Sequence, residues 1–350
     1  MTQPDLQLAR AQAYLDAARP RQALDAAGQV LAAQPDSRGA AVVVARALMH
    51  LGRPDEARPV MERVLGTHPN DEQAWRLHAL ACARAGAWDD AWRSSRRAVS
   101  LAPQEWRTHH VAAAVDSLAK RVTDDTWAQV CEAVRLAPDE PDAHLLAGNV
   151  ALHQGKLDVA ERAFQEVLRL DPDRADARNN LGVVAQRRGQ VLPGAISYAD
   201  ALRMAPDNAL ALRNLDNAAI RATMRLQSVL GVVMFATVRS TAGAASGTVA
   251  RVSYVILAAA IVGVVAGYVW RLRARTADNL RRYLRSLPRR QPLFTASVAA
   301  STLVVPALLL GAVAPRAANA GFGVAAFAVL ASLLLTTVAL RRRTGATARR

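Results

Sequence analysis

The sequence predicts an all-α protein: an α-solenoid of about six helix-turn-helix repeats plus a capping helix, followed by a helical transmembrane region. Three observations predict it. Prolines mark a turn at a nearly constant spacing. Glycines mark a second turn about midway between them. The last third of the chain differs from the rest in charge and hydropathy.

The prolines stand in "AQPDS", "THPND", "LAPQE", "LAPDE", "LDPDR" and "MAPDN", at Pro35, Pro69, Pro103, Pro138, Pro172 and Pro206. Successive spacings are 34, 34, 35, 34 and 34 residues. Self-similarity of that period is the mark of a repeat architecture. The second punctuation runs "LGRPDEA", "AGAWDDA", "QGKLDVA" and "RGQVLPGA", with Gly52, Gly86, Gly155 and Gly189. A glycine after an apolar helical run is a C-cap signal. Asp55, Asp89 and Asp158 follow and suit the first turn of a new helix. Pro20 and Pro54 suit the first helical position, where the missing N–H is not needed. Each unit is therefore a helix, a tight turn, a second helix and a proline-marked turn. The unit from Pro103 to Pro138 lacks the mid-unit glycine, so a longer or irregular turn is expected near "KRVTDD".

These residues resemble the tetratricopeptide repeat family. Its pattern of large, small and closing residues is met by Trp75, Ala79, Ala91, Ala98 and Pro103. It is met again by Gly148, Gly155, Ala160, Phe164 and Val167, and by Leu181, Gly182, Ala195, Tyr198, Ala201 and Pro206. The resemblance covers residues 4–225 and implies a last helix, 207–225, that caps the stack. Small residues at Ala45, Ala79, Gly148 and Gly182 would let the two helices of a hairpin approach closely. The resemblance also implies a concave groove lined by the first helix of each hairpin. By register its peptide-binding positions are Arg46, Arg76, Asn149, Asn179, Asn180, Arg213, Asn214 and Asn217. A carboxamide carries a donor and an acceptor and can pair with any peptide backbone; Arg offers a fork for a carboxylate. Asn180 and Asn214 share one position and would form a ladder. The bland alternative is that these asparagines are merely solvated.

The whole chain has 44 basic and 29 acidic residues, a net charge of +15. Residues 226–350 hold 16 Arg against Asp278 alone, and residues 1–225 hold 28 of each sign. The repeats thus lack the basic footprint of a nucleic-acid binder, and no nucleic-acid partner is expected. The excess surrounds apolar segments, which points to a membrane.

Three segments are long and apolar enough to span: 252–270, 293–314 and 319–340. A fourth, 226–238 within a marginal region 226–251, has only 13 residues and suits an interfacial or re-entrant helix. The stretch 271–291 carries eight Arg. Arg271, Arg273, Arg275, Arg281, Arg282 and Arg285 are candidates for contact with lipid headgroups, or for a solvated loop that fixes topology. That loop and the basic tail, 341–350, are expected on the cytoplasmic side. With no apolar leader in "MTQPDLQLARAQAY", the repeats are expected there too, on a bacterial inner-membrane protein. That topology needs 226–250 to enter the membrane and return.

No cofactor, metal or enzyme motif is expected. His78 and Cys82 stand four apart on one helix, without a second ligand pair. Cys82 and Cys131 are expected as two buried thiols. The spans carry no charged residue, which disfavours transport. Two functions remain: a membrane-anchored scaffold binding protein segments in its groove, or an accessory subunit of an envelope-assembly or secretion complex whose spans contact other membrane proteins.

Overall fold

A computed structural model describes residues 3–241 and, singly, Val252, Ile256, Tyr283, Pro292 and Ala296. Among these residues there are thirteen α-helices and no strand. They divide between two compact units, 1–172 and 173–350.

The first unit holds five hairpins: α1 (Gln3–Asp16) with α2 (Pro20–Ala33), α3 (Arg38–His50) with α4 (Pro54–Thr67), α5 (Glu72–Ala85) with α6 (Trp88–Leu101), α7 (Trp106–Leu118) with α8 (Asp124–Leu136), and α9 (Pro141–His153) with α10 (Leu157–Leu170). The second holds α11 (Ala175–Arg187), α12 (Val191–Met204) and α13 (Ala209–Thr241).

Both punctuation marks act as expected, and the backbone shows why. A proline disfavours the α region for the residue before it. Gln34, His68, Ala102, Ala137, Asp171 and Ala205 precede the six prolines, and all lie outside the helical region, with φ between −130° and −139°. Each ends the second helix of its hairpin. Three of these turns are also tied by a side chain six residues past the proline. Trp75 Nε1 donates to the Pro69 carbonyl at 2.9 Å, His109 Nε2 to Pro103 at 2.9 Å and His144 Nε2 to Pro138 at 2.7 Å.

At the other turn Gly52, Gly86, Gly155 and Gly189 have φ of +71° to +80°, a left-handed conformation open to glycine at no steric cost. In the irregular fourth hairpin Lys120 takes this role, at φ +56°, in register 34 residues after Gly86. The turn that follows is longer, as expected: residues 119–123 separate α7 from α8, whereas 86–87 suffice between α5 and α6. A capping box, Thr123 with Thr126, starts α8 after the longer turn.

The glycines at the small-residue positions admit aromatic rings. Phe164 and Tyr198 are fully buried, Phe164 over Gly148 and Tyr198 over Gly182. Where Ala replaces the glycine, the partner sixteen residues on is Met61 or Ser95 rather than an aromatic ring, and both are buried.

Three expectations need correction. Cys82 is buried but Cys131 is exposed. The capping helix does not end at residue 225: α13 runs unbroken to Thr241, 33 residues, and takes in 226–238. Thr223 stands 34 residues after Gly189, and a β-branched residue disfavours the left-handed turn, so the helix continues. Among the described residues no helix is long and apolar enough to cross a membrane. Third, Asn179 is buried, not groove-facing. Apart from Val252, Ile256 and Ala296, the spans at 252–270, 293–314 and 319–340 and the tail at 341–350 lie outside the described residues.

Candidate interaction groove

In the first unit the first helices of successive hairpins touch one another: α1 with α3, α3 with α5, α5 with α7 and α7 with α9. They form the inner layer. Between α1, α3 and the start of α5 lies an open cleft of about 390 Å³. Its floor is Leu8, Ala9, Val42 and Val43, and its rim is Asp5, Gln12, Arg38 and Gln73, with Gly39 between.

The rim is organised by Arg38. Its guanidinium forks onto Asp71, with Nη2 donating to Oδ1 at 2.9 Å and also to Gln73 Oε1 at 3.0 Å. Asp71 also caps α5, accepting from the Ala74 N–H at 3.1 Å. Burial raises the Asp71 carboxyl, but Arg38 and the Ala74 and Gln73 amides outweigh it, and the net position is below the ordinary carboxylate value. The pair therefore stays ionised at neutral pH and locks Gln73 in place. An apolar floor with amide groups on its rim suits an extended polypeptide. Gln12 is held in place on the rim: its Nε2 donates to Asp16 Oδ1 at 2.9 Å and its Oε1 accepts from Arg46.

The positions assigned from sequence fall into three groups. Arg46 is half-buried and its Nη1 donates to Gln12 Oε1 at 3.4 Å, next to the cleft. Arg76 is taken up by Glu72, one helical turn before it, at 2.7 Å, and only 14% of its side chain is exposed. Asn149 is half-buried on α9. In the second unit the asparagines meet, but differently from the expected pairing. Asn214 Nδ2 donates to Asn179 Oδ1 at 2.9 Å, and Asn179 Nδ2 donates to Asn180 Oδ1 at 3.1 Å. Asn179, 2% exposed, is the middle rung. Asn217 is half-buried and Arg213 exposed on α13. Arg271, Arg273, Arg275, Arg281, Arg282 and Arg285 lie outside the described residues.

His78 and Cys82 are both buried. The thiol lies 3.6 Å from His78 Nε2, while His78 Nδ1 is 2.8 Å from Ser94 Oγ. Burial lowers the His78 pKa and pushes the Cys82 thiol up to about 11. Among the described residues no three His, Cys, Asp or Glu side chains are grouped to hold a metal ion.

The cleft residues Asp5, Leu8, Ala9, Gln12, Arg38 and Gln73 were not singled out from sequence. The 34-residue period could have found them: Asp5, Gly39 and Gln73 share one register, Leu8 and Val42 another, Ala9 and Val43 a third.

Tetratricopeptide repeat family profiles match residues 14–81, 128–161 and 145–209. These residues are tetratricopeptide repeats. Tetratricopeptide hairpin geometry continues through α6 and α7, between the matched stretches. Over 96 residues the chain is 34% identical to the cellulose synthase operon protein C of Xanthomonas axonopodis pv. citri (strain 306). The match takes in 27% of this chain and 6% of that protein. PilW, a widely conserved type IV pilus biogenesis factor, superimposes with a TM-score of 0.52 at 16% identity, over 62% of this chain and 99% of its own. The Cut9–Hcn1 hetero-tetramer of the APC/C gives a TM-score of 0.53 at 17% identity, over 80% of this chain and 56% of that one. At these identities both likenesses are of the fold alone.

Proposed function

We propose that this chain is a non-enzymatic scaffold that binds an extended segment of another protein in the cleft between α1, α3 and α5. The cleft itself carries this reading: an apolar floor and an amide-lined rim on the inner layer of the repeats. Its natural ligand is a segment with alternating apolar side chains, since successive residues of an extended chain point to opposite sides. Membrane anchorage of the scaffold, with repeats on the cytoplasmic face and Arg271 to Arg285 against lipid headgroups, is supported by the charge excess around the long apolar segments of the last third.

Ala9 is exposed at the cleft. Ala9→Trp in the full-length chain would fill the floor without disturbing the core. Selection of displayed peptides on the wild-type chain should yield binders with alternating apolar residues, and Ala9→Trp should lose them at an unchanged melting temperature. Binders that ignore Ala9→Trp would place the ligand elsewhere.

A second reading, as an accessory subunit for envelope assembly, is favoured by the matched relative, whose name places it in a cellulose synthase operon. Crosslinking in native membranes separates the two. Partners joined through the cleft residues support the scaffold, and partners joined only through residues 252–340 support the subunit.

A further inference from the structure

The last described helix is buried on two opposite sides. Ala211, Leu215 and Ala218 lie on one face of α13 and are covered. At about 100° per residue, Asp216, Ile220 and Gln227 lie roughly on the opposite face. Those three are 3%, 0% and 1% exposed. A helix that ends a stack of hairpins has the preceding hairpin on one side only. Something beyond α13 must cover the other.

Tyr283 is part of that cover. It stands 42 residues past the end of α13, among the arginines of 271–291, yet it is only 7% exposed. It belongs to the same apolar cluster as Tyr198, Ala199, Leu215, Ala218 and Ile220, with Leu202, Leu212 and Met224 packed around them. A tyrosine brings a large apolar body with a polar tip, which suits one anchoring residue in an otherwise charged stretch.

We infer that Tyr283 docks onto the C-terminal end of the repeat stack, within the apolar cluster of α12 and α13, and ties the chain that follows α13 back to the repeats. The docked tyrosine and the first half of α13, to Met224, lie on one side of any membrane the chain enters. The chain between Met224 and Tyr283 then crosses an even number of times, so a crossing by 252–270 cannot be the only one. The contact is independent of the α1–α3–α5 cleft, so an empty cleft would leave it in place.

The test uses the full-length chain in native membranes. p-Benzoyl-phenylalanine at position 283 keeps an aromatic ring in the seat. On irradiation it should crosslink within the chain to peptides from residues 191–224. Adducts confined to other segments, to other proteins or to lipid would overturn the docking. In a chain carrying Cys82→Ala and Cys131→Ser, Ala33→Cys and Thr276→Cys are then labelled separately with a membrane-impermeant maleimide in intact cells, each normalised to opened cells. The two positions should behave alike, both labelled or both protected. One labelled and one protected would overturn the shared side.

Discussion

Tyr198 occupies the space that a side chain on Gly182 would need. A Cβ at Gly182 would lie 2.5 Å from Tyr198 Cε1 and 3.1 Å from the Gly194 carbonyl oxygen. The ring is held there, since Tyr198 Oη donates to Gln186 Oε1 at 2.7 Å. Gly182→Leu must displace either a fully buried ring or the α12 backbone. Overpacking of this kind costs roughly 1–3 kcal/mol, and each kcal/mol lowers the melting temperature of a domain of this size by roughly 2–4 °C. Calorimetry of the variant checks this. The same loss is expected for Gly148→Leu, where Phe164 lies 2.4 Å from the Cβ position.

Asn179 should behave as a structural residue. Asn179→Ala removes the acceptor of Asn214 and the donor to Asn180, whose amides are half-buried around the buried Asn179. A fully buried amide left unsatisfied costs roughly 1–3 kcal/mol, and these half-buried ones should fall at the low end. Chemical denaturation should show that loss for Asn179→Ala and a smaller one for Arg213→Ala, which is exposed. Equal stability of the two variants would contradict the ladder.

Lys120 sits in a left-handed conformation that costs an L residue roughly 1–2 kcal/mol. Lys120→Gly relieves that cost and gives back part of it, about 0.4–1 kcal/mol, through a freer unfolded chain. The variant should melt slightly above wild type. Lys120→Val should melt below it, because β-branching tolerates positive φ worst.

Stability should fall with acidification before the carboxylates titrate. Burial lowers the pKa of His78 and of His110. For His78, Glu62 at 3.6 Å and Asp90 oppose the shift and Arg58 reinforces it, with burial prevailing. Below roughly pH 6.5 the unfolded chain gains protons that the folded chain refuses. Stability is then lost progressively until the pH reaches the lower, folded values, and stays lost below them. The melting temperature should drop between pH 7.5 and 5.5. His78→Gln with His110→Gln should flatten that slope.

The two thiols should differ in reactivity. Cys131 is exposed, whereas Cys82 is buried with its pKa pushed up to about 11. The thiolate is the reactive form. A colorimetric thiol reagent should titrate one group per folded chain and two after denaturation, and Cys131→Ser should leave none reactive in the folded state.

What the sequence made legible were features fixed by local sterics. The residue before proline is driven out of the helix, and glycine opens the left-handed turn, so the hairpins that carry both marks could be placed from punctuation alone. Where another residue adopts the glycine's role, as Lys120 does, the spacing carries the signal and the residue type does not. The binding positions were less legible. Asn179 and Asn180 are adjacent in sequence, and which one turns inward depends on how α11 rolls against α13. The cleft at Leu8 and Val42 is made of ordinary apolar and amide residues whose use follows from curvature between helices, and no single residue announces it. Tyr283 was hidden for a different reason: its partners are about sixty to eighty-five residues away.

α13 is at once the last rung of the repeats and a rod that continues past them. Its 33 residues, at about 1.5 Å each, make it roughly 50 Å long. Its first half is gripped by α11 and α12, and the remainder runs on to Thr241. Such a rod is a lever arm. A small change of tilt in the final hairpin becomes a displacement of several ångströms at the far end, so strain entering the last hairpin would be handed on as movement.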